Sequence, residues 1–214
     1  MSLAIALHGT MRLHILDCGL GLGFLIENQQ GLYLIDCGSP RQESKVLAKM
    51  KELGRNDLKL IWISHAHYDH YGSAAALRER TGAPIGVHPA DAEFIHRGLS
   101  PLGSPRGYGF IYPLLQPLAR WILPLKPAAP DFTLEDGQTF EHFGLDATLL
   151  HTPGHTPGSS TVLLAEGTAF ASDLLGSVTQ PHLQSLLATD WAQLPASLQH
   201  LKDARPRQVY AGHS

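Results

Sequence analysis

The segment from residue 65 to residue 70 places four potential metal ligands within six residues, directly after an apolar strand pattern over Leu58–Ile63. Because alternate side chains of an extended segment point the same way, His65 and His67 can converge on one ion. The turn that follows can direct Asp69 and His70 toward a second ion. Three imidazoles and a carboxylate in one short loop therefore indicate metal binding rather than a set of solvated histidines.

Further ligands are expected at other strand ends, and the chain offers them among 13 histidines. His155 lies in a loop made rigid by proline and glycine, Asp173 ends an apolar strand, and His213 follows the final strand. The other eight histidines need no special role. Cys18 and Cys37 form no CxxC pair, so a thiolate zinc site is excluded. We expect two buried free thiols, and a disulfide between them stays open.

Composition limits the class of protein. The chain has 214 residues, of which 43% are hydrophobic and 16% charged, and its net charge is −3. This charge argues against a large basic face for nucleic acid. The apolar N-terminus is short and lacks a basic region, and no run of about 18 apolar residues can span a membrane. We expect a cytoplasmic protein with no membrane or nucleic-acid partner, folded as a single α/β domain over residues 1–214.

Hydrophobic periodicity predicts an alternation of short strands with helices. The predicted strands are Leu13–Leu16, Leu22–Ile26, Leu32–Ile35, Leu58–Ile63, Ile85–Val87, Leu145–Leu150, Thr161–Leu164, Thr168–Ala171 and Gln208–Ala211. The predicted helices are Arg41–Leu53, Gly72–Arg80, Ala90–His96 and Trp191–Leu201.

An insertion at about residues 98–130 is rich in proline and aromatic residues. A long irregular stretch of this kind is typical of a functional lid or a partner surface. It can pack on the domain, form a homodimer contact, or cover the metals as a hydrophobic wall that binds an apolar substituent. Tyr112 and Trp121 are its candidate substrate-binding residues.

The ordered set of ligands resembles the metallo-β-lactamase superfamily over nearly the whole chain. The resemblance implies an α/β (α+β) fold, an αββα sandwich of two mixed β-sheets flanked by helices, with the site at the edge between the sheets. It also implies two divalent metal ions held by three ligands each: His65, His67 and His155 for the first, and Asp69, His70 and His213 for the second. In the same resemblance Asp173 bridges both ions, and Asp36 hydrogen-bonds near the ligand loop and orients it.

The chemistry that follows is hydrolysis. Two cations about 3.5–4 Å apart can share a water and lower its pKa toward 7, which supplies a bridging hydroxide. Asp69, besides binding metal, is the catalytic candidate that orients this hydroxide and carries its proton. Nitrogen and oxygen ligands favour zinc, with iron or manganese as alternatives. We expect a small ester, thioester or lactone with an apolar part as substrate. Phosphodiester hydrolysis and a non-catalytic metal-binding or sensor role are the alternatives.

Differences from related sequences limit which branch of the superfamily the chain resembles. Asp173 stands where one β-lactamase group has a cysteine ligand, which resembles the glyoxalase II, lactonase and phosphodiesterase-like branches instead. The segment Leu174–Leu187 contains no Lys or Arg, which argues against a glutathione thioester. Gly176 occupies the place of a tyrosine found in acyl-homoserine lactonases. Tyr68, inside the metal motif, is a candidate substrate-binding residue in its stead.

Overall fold

Fifteen strands and five α-helices are found in the part of the chain that the computed structural model describes, residues 4–6, 11–106, 125–177 and 181–213. The strands are β1 Ala4–Ala6, β2 Arg12–Cys18, β3 Gly21–Glu27, β4 Leu32–Ile35, β5 Leu58–Ile63, β6 Ile85–Val87, β7 Ser104–Pro105, β8 Phe132–Thr133, β9 Ala147–His151, β10 Ser160–Leu164, β11 Thr168–Ser172, β12 Leu175–Ser177, β13 Pro181–Leu183, β14 Leu187–Ala188 and β15 Gln208–Ala211. The helices are α1 Glu43–Glu52, α2 Tyr68–Tyr71, α3 Ala74–Thr81, α4 Pro89–His96 and α5 Leu194–Asp203.

Two mixed sheets contain most of these strands. The first has the order β1-β2-β3-β4-β5-β6-β8, antiparallel from β1 to β4 and parallel from β4 onward. The second has the order β15-β11-β10-β9, in which only the β11–β15 pair is parallel. Two further pairs, β12–β13 and β14–β7, are antiparallel and short. Parallel pairing places the carboxyl ends of β4, β5 and β6 at one edge.

The two sheets pack against each other through large apolar side chains. Between them Trp62 meets Phe140 edge-on, with ring centroids 5.1 Å apart, and Phe24 meets Phe170 at 5.0 Å. Both faces of the first sheet are covered at β4, since every residue of Leu32–Ile35 is buried. Such a continuous apolar run is typical of a strand between two layers.

Helices cover the outer faces of both sheets. Val46 and Met50 of α1 belong to the core on the outer side of the first sheet, together with Leu77 of α3. Leu194 and Leu201 of α5 pack with Ala169 and its neighbours on the outer side of the second. The layers are therefore helix, sheet, sheet and helix, which confirms the predicted αββα sandwich.

Every predicted helix and strand is present, with bounds that differ by three residues or fewer at each end. The helix α2 and the strands β1, β7, β8, β12, β13 and β14 were not predicted; each has only two to four residues, which is short for a periodic pattern. Cys18 and Cys37 are both buried and free, as expected. Tyr112 and Trp121 lie outside the described residues. In the described part of the chain, no helix combines the length and hydropathy needed to cross a bilayer.

Candidate metal centre

All seven predicted ligand side chains meet at one edge of the sandwich. His65 and His67 follow β5, and the short helix α2 carries the next two candidates, Asp69 and His70. The second sheet supplies the rest from three strand ends: His155 from the β9–β10 loop, Asp173 after β11 and His213 after β15. The two sheets are tied at this edge, where Ser160 donates its backbone N–H to the carbonyl of Ser64 at 3.0 Å.

Three histidines form the first group of donor atoms. One ligand atom each from His65, His67 and His155 lies within 4.8 Å of the others, and all three residues are buried. The Nε2 of His65 is 3.0 Å from the Nδ1 of His67. Two nitrogen ligands of one tetrahedral zinc, at the usual Zn–N distance, lie about 3.3 Å apart. The separation of these nitrogens therefore suits two ligands of one ion.

A second group comprises Asp69, His70 and His213, again with donor atoms within 4.8 Å of one another. The Nε2 atoms of His70 and His213 are 3.3 Å apart, and Asp69 Oδ2 lies 3.7 Å from His213 Nε2. Asp173 lies between the groups. Its Oδ1 is 3.4 Å from His70 Nε2, and its Oδ2 is 3.3 Å from His155 Nε2 and 3.2 Å from His213 Nε2. One carboxylate thus contacts a histidine of the first group and two of the second.

In each of the five histidines, the ring nitrogen that faces away from the cluster makes a hydrogen bond with a protein oxygen. Three histidines donate to backbone carbonyls: His67 Nε2 to Pro101 at 3.1 Å, His155 Nδ1 to Leu187 at 2.8 Å and His213 Nδ1 to Leu20 at 2.7 Å. A carbonyl only accepts, so in the neutral imidazole the proton sits on that nitrogen and the other nitrogen can present a lone pair to the cluster. His65 likewise turns its Nδ1 toward the hydroxyls of Ser64 and Ser172, at 3.1 and 3.3 Å.

Asp36 orients the fifth histidine. Its Oδ2 accepts from His70 Nδ1 at 2.8 Å and from Ser64 Oγ at 2.6 Å, and its Oδ1 accepts from the Ser64 backbone N–H at 2.8 Å. Asp36 is fully buried and adopts a left-handed φ of 56°, as does Ser172 with a φ of 45°. Strained backbone at two neighbouring strand ends is typical of functional sites. The contact predicted for Asp36 near the ligand loop is therefore present.

The pKa values of these groups follow from burial and charge. Burial and the neighbouring imidazoles hold the pKa of His65 well below its ordinary value, and burial lowers that of His155 to about 4. Burial also opposes the charged forms of His70 and His213, but the carboxylates around them together outweigh it, Asp173 with Asp36 and Asp69 for His70 and Asp173 with Asp69 for His213, and raise their pKa values to about 9 and about 10. The first group is thus neutral, as metal ligands must be, and the second retains protons that a cation would displace.

Among the buried polar atoms that make no hydrogen bond with any described residue, two belong to the cluster: His155 Nε2 and Asp173 Oδ1. Leaving such atoms unpaired costs free energy, and both atoms point into the cluster. A divalent cation would satisfy them, because it takes lone pairs from imidazole and carboxylate. The donor set, the tautomers and these atoms all fit bound metal.

Sequence reasoning missed the groups that hold the ligands in place. The carbonyls of Leu20, Pro101 and Leu187 carry no sequence signal, because any residue type offers one. The buried carboxylate of Asp91 was also missed, since an aspartate two residues after a proline at a helix start is typical of an ordinary first-turn acid.

The family model described as the metallo-beta-lactamase superfamily matches residues 16–213, which is nearly the whole chain. The chain belongs to the metallo-beta-lactamase superfamily. Its relatives include a probable metallo-hydrolase of Streptococcus pyogenes serotype M6, 29% identical over 165 residues, which are 74% of this chain and 65% of that protein. The hydroxyacylglutathione hydrolase GloC of Haemophilus influenzae is 26% identical over 150 residues, or 70% of this chain and 63% of the relative. The chain thus spans slightly less than two thirds of both relatives.

Solved structures in this superfamily share the fold. A di-iron-bound form of the protein TTHA1623 superimposes with a TM-score of 0.68 and 30% identity, covering 93% of this chain and 90% of that one. A metallo-beta-lactamase from Cronobacter sakazakii gives 0.71 and 25% identity, over 98% and 77% of the two chains.

Proposed function

We propose that this member of the superfamily is a binuclear metal-dependent hydrolase whose substrate is a small ester, thioester or lactone with an apolar part. The observation that carries the proposal is the position of Asp173, whose two oxygens face both groups of histidines at 3.2 to 3.4 Å. A carboxylate in contact with both groups suits a bridge between two ions. The names of the two relatives, a probable metallo-hydrolase and a hydroxyacylglutathione hydrolase, support a metal-dependent hydrolase.

The proposed ligands divide as the two groups do. His65, His67 and His155 would hold one ion, and Asp69, His70 and His213 the other, with Asp173 shared between them. Divalent ions at this site would lower the pKa of a water and supply hydroxide at neutral pH. Zinc fits the nitrogen-rich first group, and the di-iron form of a structural relative keeps iron as an alternative.

Asp69 is the proposed catalytic residue of the chain. It is partly exposed, whereas Asp173 is buried, so Asp69 can meet substrate and water at the mouth of the site. Its carboxylate can orient an attacking water, accept its proton and return that proton to the leaving group. The imidazoles cannot take this role, because both nitrogens of each are committed.

The proposed substrate class rests on a cavity of about 440 Å³ beside the metal motif. Tyr68, which lies between His67 and Asp69 in the chain, forms part of its wall with Leu20, Pro40 and Arg41. The carbonyl of Leu20 also accepts from His213, so this wall and the second ligand group share a residue. An apolar substituent suits this cavity, in which the leucine side chain is 64% exposed.

A hydrolysis panel on the metal-loaded full chain tests the proposal. The panel contains an apolar acyl thioester, a hydroxyacylglutathione thioester, a lactone, a β-lactam and bis-p-nitrophenyl phosphate. We expect turnover of the thioester or lactone that is lost with a chelator and restored by zinc or iron. Turnover confined to the phosphodiester would reject the substrate class, and no metal-dependent turnover of any compound would reject the enzyme.

A further inference from the structure

A buried carboxylate outside the proposed ligand set joins the two loops that carry the first group of histidines. Asp91 lies in the first turn of α4 and has no exposed surface. Its Oδ2 accepts the backbone N–H of Ala66 at 2.8 Å, in the loop after β5. Its Oδ1 accepts the backbone N–H of Gly158 at 2.7 Å, in the loop between β9 and β10. One side chain thus ties a loop of the first sheet to a loop of the second.

The second loop is fixed by more than one bond. Thr156, directly after the ligand His155, donates its hydroxyl to Asp91 Oδ2 at 2.6 Å. The backbone N–H of Thr156 in turn donates to Ser159 Oγ at 2.9 Å. The carboxylate therefore holds Thr156, which is next to His155, and Ala66, which lies between His65 and His67.

The loop between β9 and β10 packs closely against the start of α4 at Gly158. A Cβ placed on Gly158 would lie 2.7 Å from Cβ, Cγ and N of Asp91, closer than real Cβ contacts. The loop can approach the start of α4 this closely only because residue 158 has no side chain. Burying a carboxylate is costly unless hydrogen bonds compensate it, and three donors do so here.

We propose that Asp91 is a positioning residue that fixes the separation of the loops carrying His65, His67 and His155, and so sets the affinity of this group for a divalent cation. The inference rests on the proposed metal centre. Removal of a group that orients a metal ligand by hydrogen bonding typically lowers metal affinity about 10- to 100-fold. Asp91 acts on the backbone of the ligand loops rather than on an imidazole nitrogen.

Asp91→Asn tests this role at nearly constant volume. The amide can place its oxygen toward Ala66 and Thr156 or toward Gly158, but its NH₂ group then faces an N–H donor of the other loop. The variant keeps one loop contact and loses the other. A second variant, Gly158→Ala, pushes the loops apart while leaving the carboxylate in place. A third, Thr156→Val, removes one donor at constant shape.

The measurement is a titration of the metal-stripped full chain with Zn²⁺ against a chromophoric chelator, with circular dichroism and thermal unfolding of the metal-free protein as a second readout. We expect about two equivalents in the unaltered protein. In Asp91→Asn, one equivalent should bind about 10- to 100-fold more weakly while the other keeps its affinity. Gly158→Ala and Thr156→Val should weaken binding of the same equivalent of zinc. These two variants test the positioning role if Asp91→Asn does not fold.

The matched control is Asp131→Asn. Asp131 also accepts a backbone N–H, from Ile85 at 2.8 Å, and it pairs with Arg78 at 3.2 Å, and within the described part of the chain neither contact involves a ligand loop. This variant should change thermal unfolding without changing zinc affinity. Unchanged zinc affinity in folded Asp91→Asn, or equal losses in both aspartate variants, would overturn the positioning role. Less than one equivalent of zinc in the unaltered protein would instead overturn the proposed function, and this inference with it.

Discussion

Asp36 and His70 form a hydrogen-bonded pair that links the end of β4 to the metal motif, with Asp36 Oδ2 2.8 Å from His70 Nδ1. The carboxylate only accepts, so it keeps the proton on Nδ1 and leaves Nε2 free for the cluster. This contact decides whether His70 can act as a metal ligand.

Asp36→Asn should therefore weaken metal binding about 10- to 100-fold. An amide NH₂ facing His70 favours the opposite tautomer, in which Nε2 carries the proton and cannot bind a cation. Zinc affinity of the folded variant is the measurement. The control is Asp57→Asn, which breaks an ion pair with Arg55 at 2.6 Å far from the cluster. Equal zinc affinity in Asp36→Asn and the unaltered protein would contradict the prediction.

Asp173→Ala should abolish most activity and lower metal content. Its carboxylate lies within 3.4 Å of ring nitrogens of His70, His155 and His213, and so contacts both proposed ligand groups. Without it, the two proposed ions would lose their shared ligand, and kcat/KM should fall by at least about 100-fold, the upper end of the losses seen when a group that hydrogen-bonds to a metal ligand is removed.

Metal analysis and single-turnover rates check this prediction together. Asp203→Ala, at the end of α5, removes a carboxylate of the same type outside the site and should leave both unchanged. Full occupancy together with full activity in Asp173→Ala would show that the bridge is misassigned.

The sequence predicts the residues of the candidate metal centre better than it predicts the contacts that hold them in place. His65, His67, Asp69 and His70 lie within six residues, so their proximity is a local property of the chain. His155, Asp173 and His213 are separated widely, but each follows a strand, and strand ends meet at sheet edges. Bringing them together required the fold to be known, which the resemblance supplied and the structure confirmed.

Other contacts depend on tertiary packing that no local pattern reveals. The pairing of β7 with β14 orders the segment whose Leu187 carbonyl holds His155, yet each strand has two residues. Asp91 and Gly158 are 67 positions apart and meet only because the two sheets stack. Long-range contacts of this kind arise from the global arrangement of layers, not from periodicity.

Tyr68→Ala should impair binding of substrates with a long apolar acyl group more than that of short ones. Tyr68 and Leu20 line the cavity beside the motif, and Tyr68→Ala and Leu20→Ala each remove apolar wall. For the long acyl substrate we expect KM to rise by about 10-fold, consistent with about 1.5 kcal/mol for a buried apolar side chain. kcat should change little, because neither side chain belongs to the ligand groups.

Steady-state kinetics on a short and a long acyl thioester provide the comparison. Val209→Ala is the matched control, since it shortens an exposed apolar side chain that does not line the cavity. An equal rise in KM for both substrates would show that the cavity does not bind the acyl group.

Acid sensitivity should depend in part on His88, which stacks on His151 with ring centroids 3.8 Å apart and 9° between the planes. Burial, reinforced by His151, lowers the pKa of His88 to about 4. The unfolded chain binds this proton more readily, with a pKa near 6.5, so the stabilisation is complete above pH 6.5 and is lost as the pH falls through 4. Between pH 7 and pH 5, this group alone should lower the free energy of unfolding by about 2 kcal/mol.

His88→Asn isolates this contribution, because asparagine is also a favoured N-cap and can replace the Nδ1 acceptor that His88 offers to Ala90 N–H. Denaturant unfolding of both proteins from pH 7 to pH 5 should show a smaller loss of stability in the variant, even if it is less stable at pH 7. His142→Asn removes an exposed histidine instead and should reproduce the pH dependence of the unaltered protein. Parallel pH profiles for His88→Asn and the unaltered protein would show that the stacked pair does not retain its neutral form on folding.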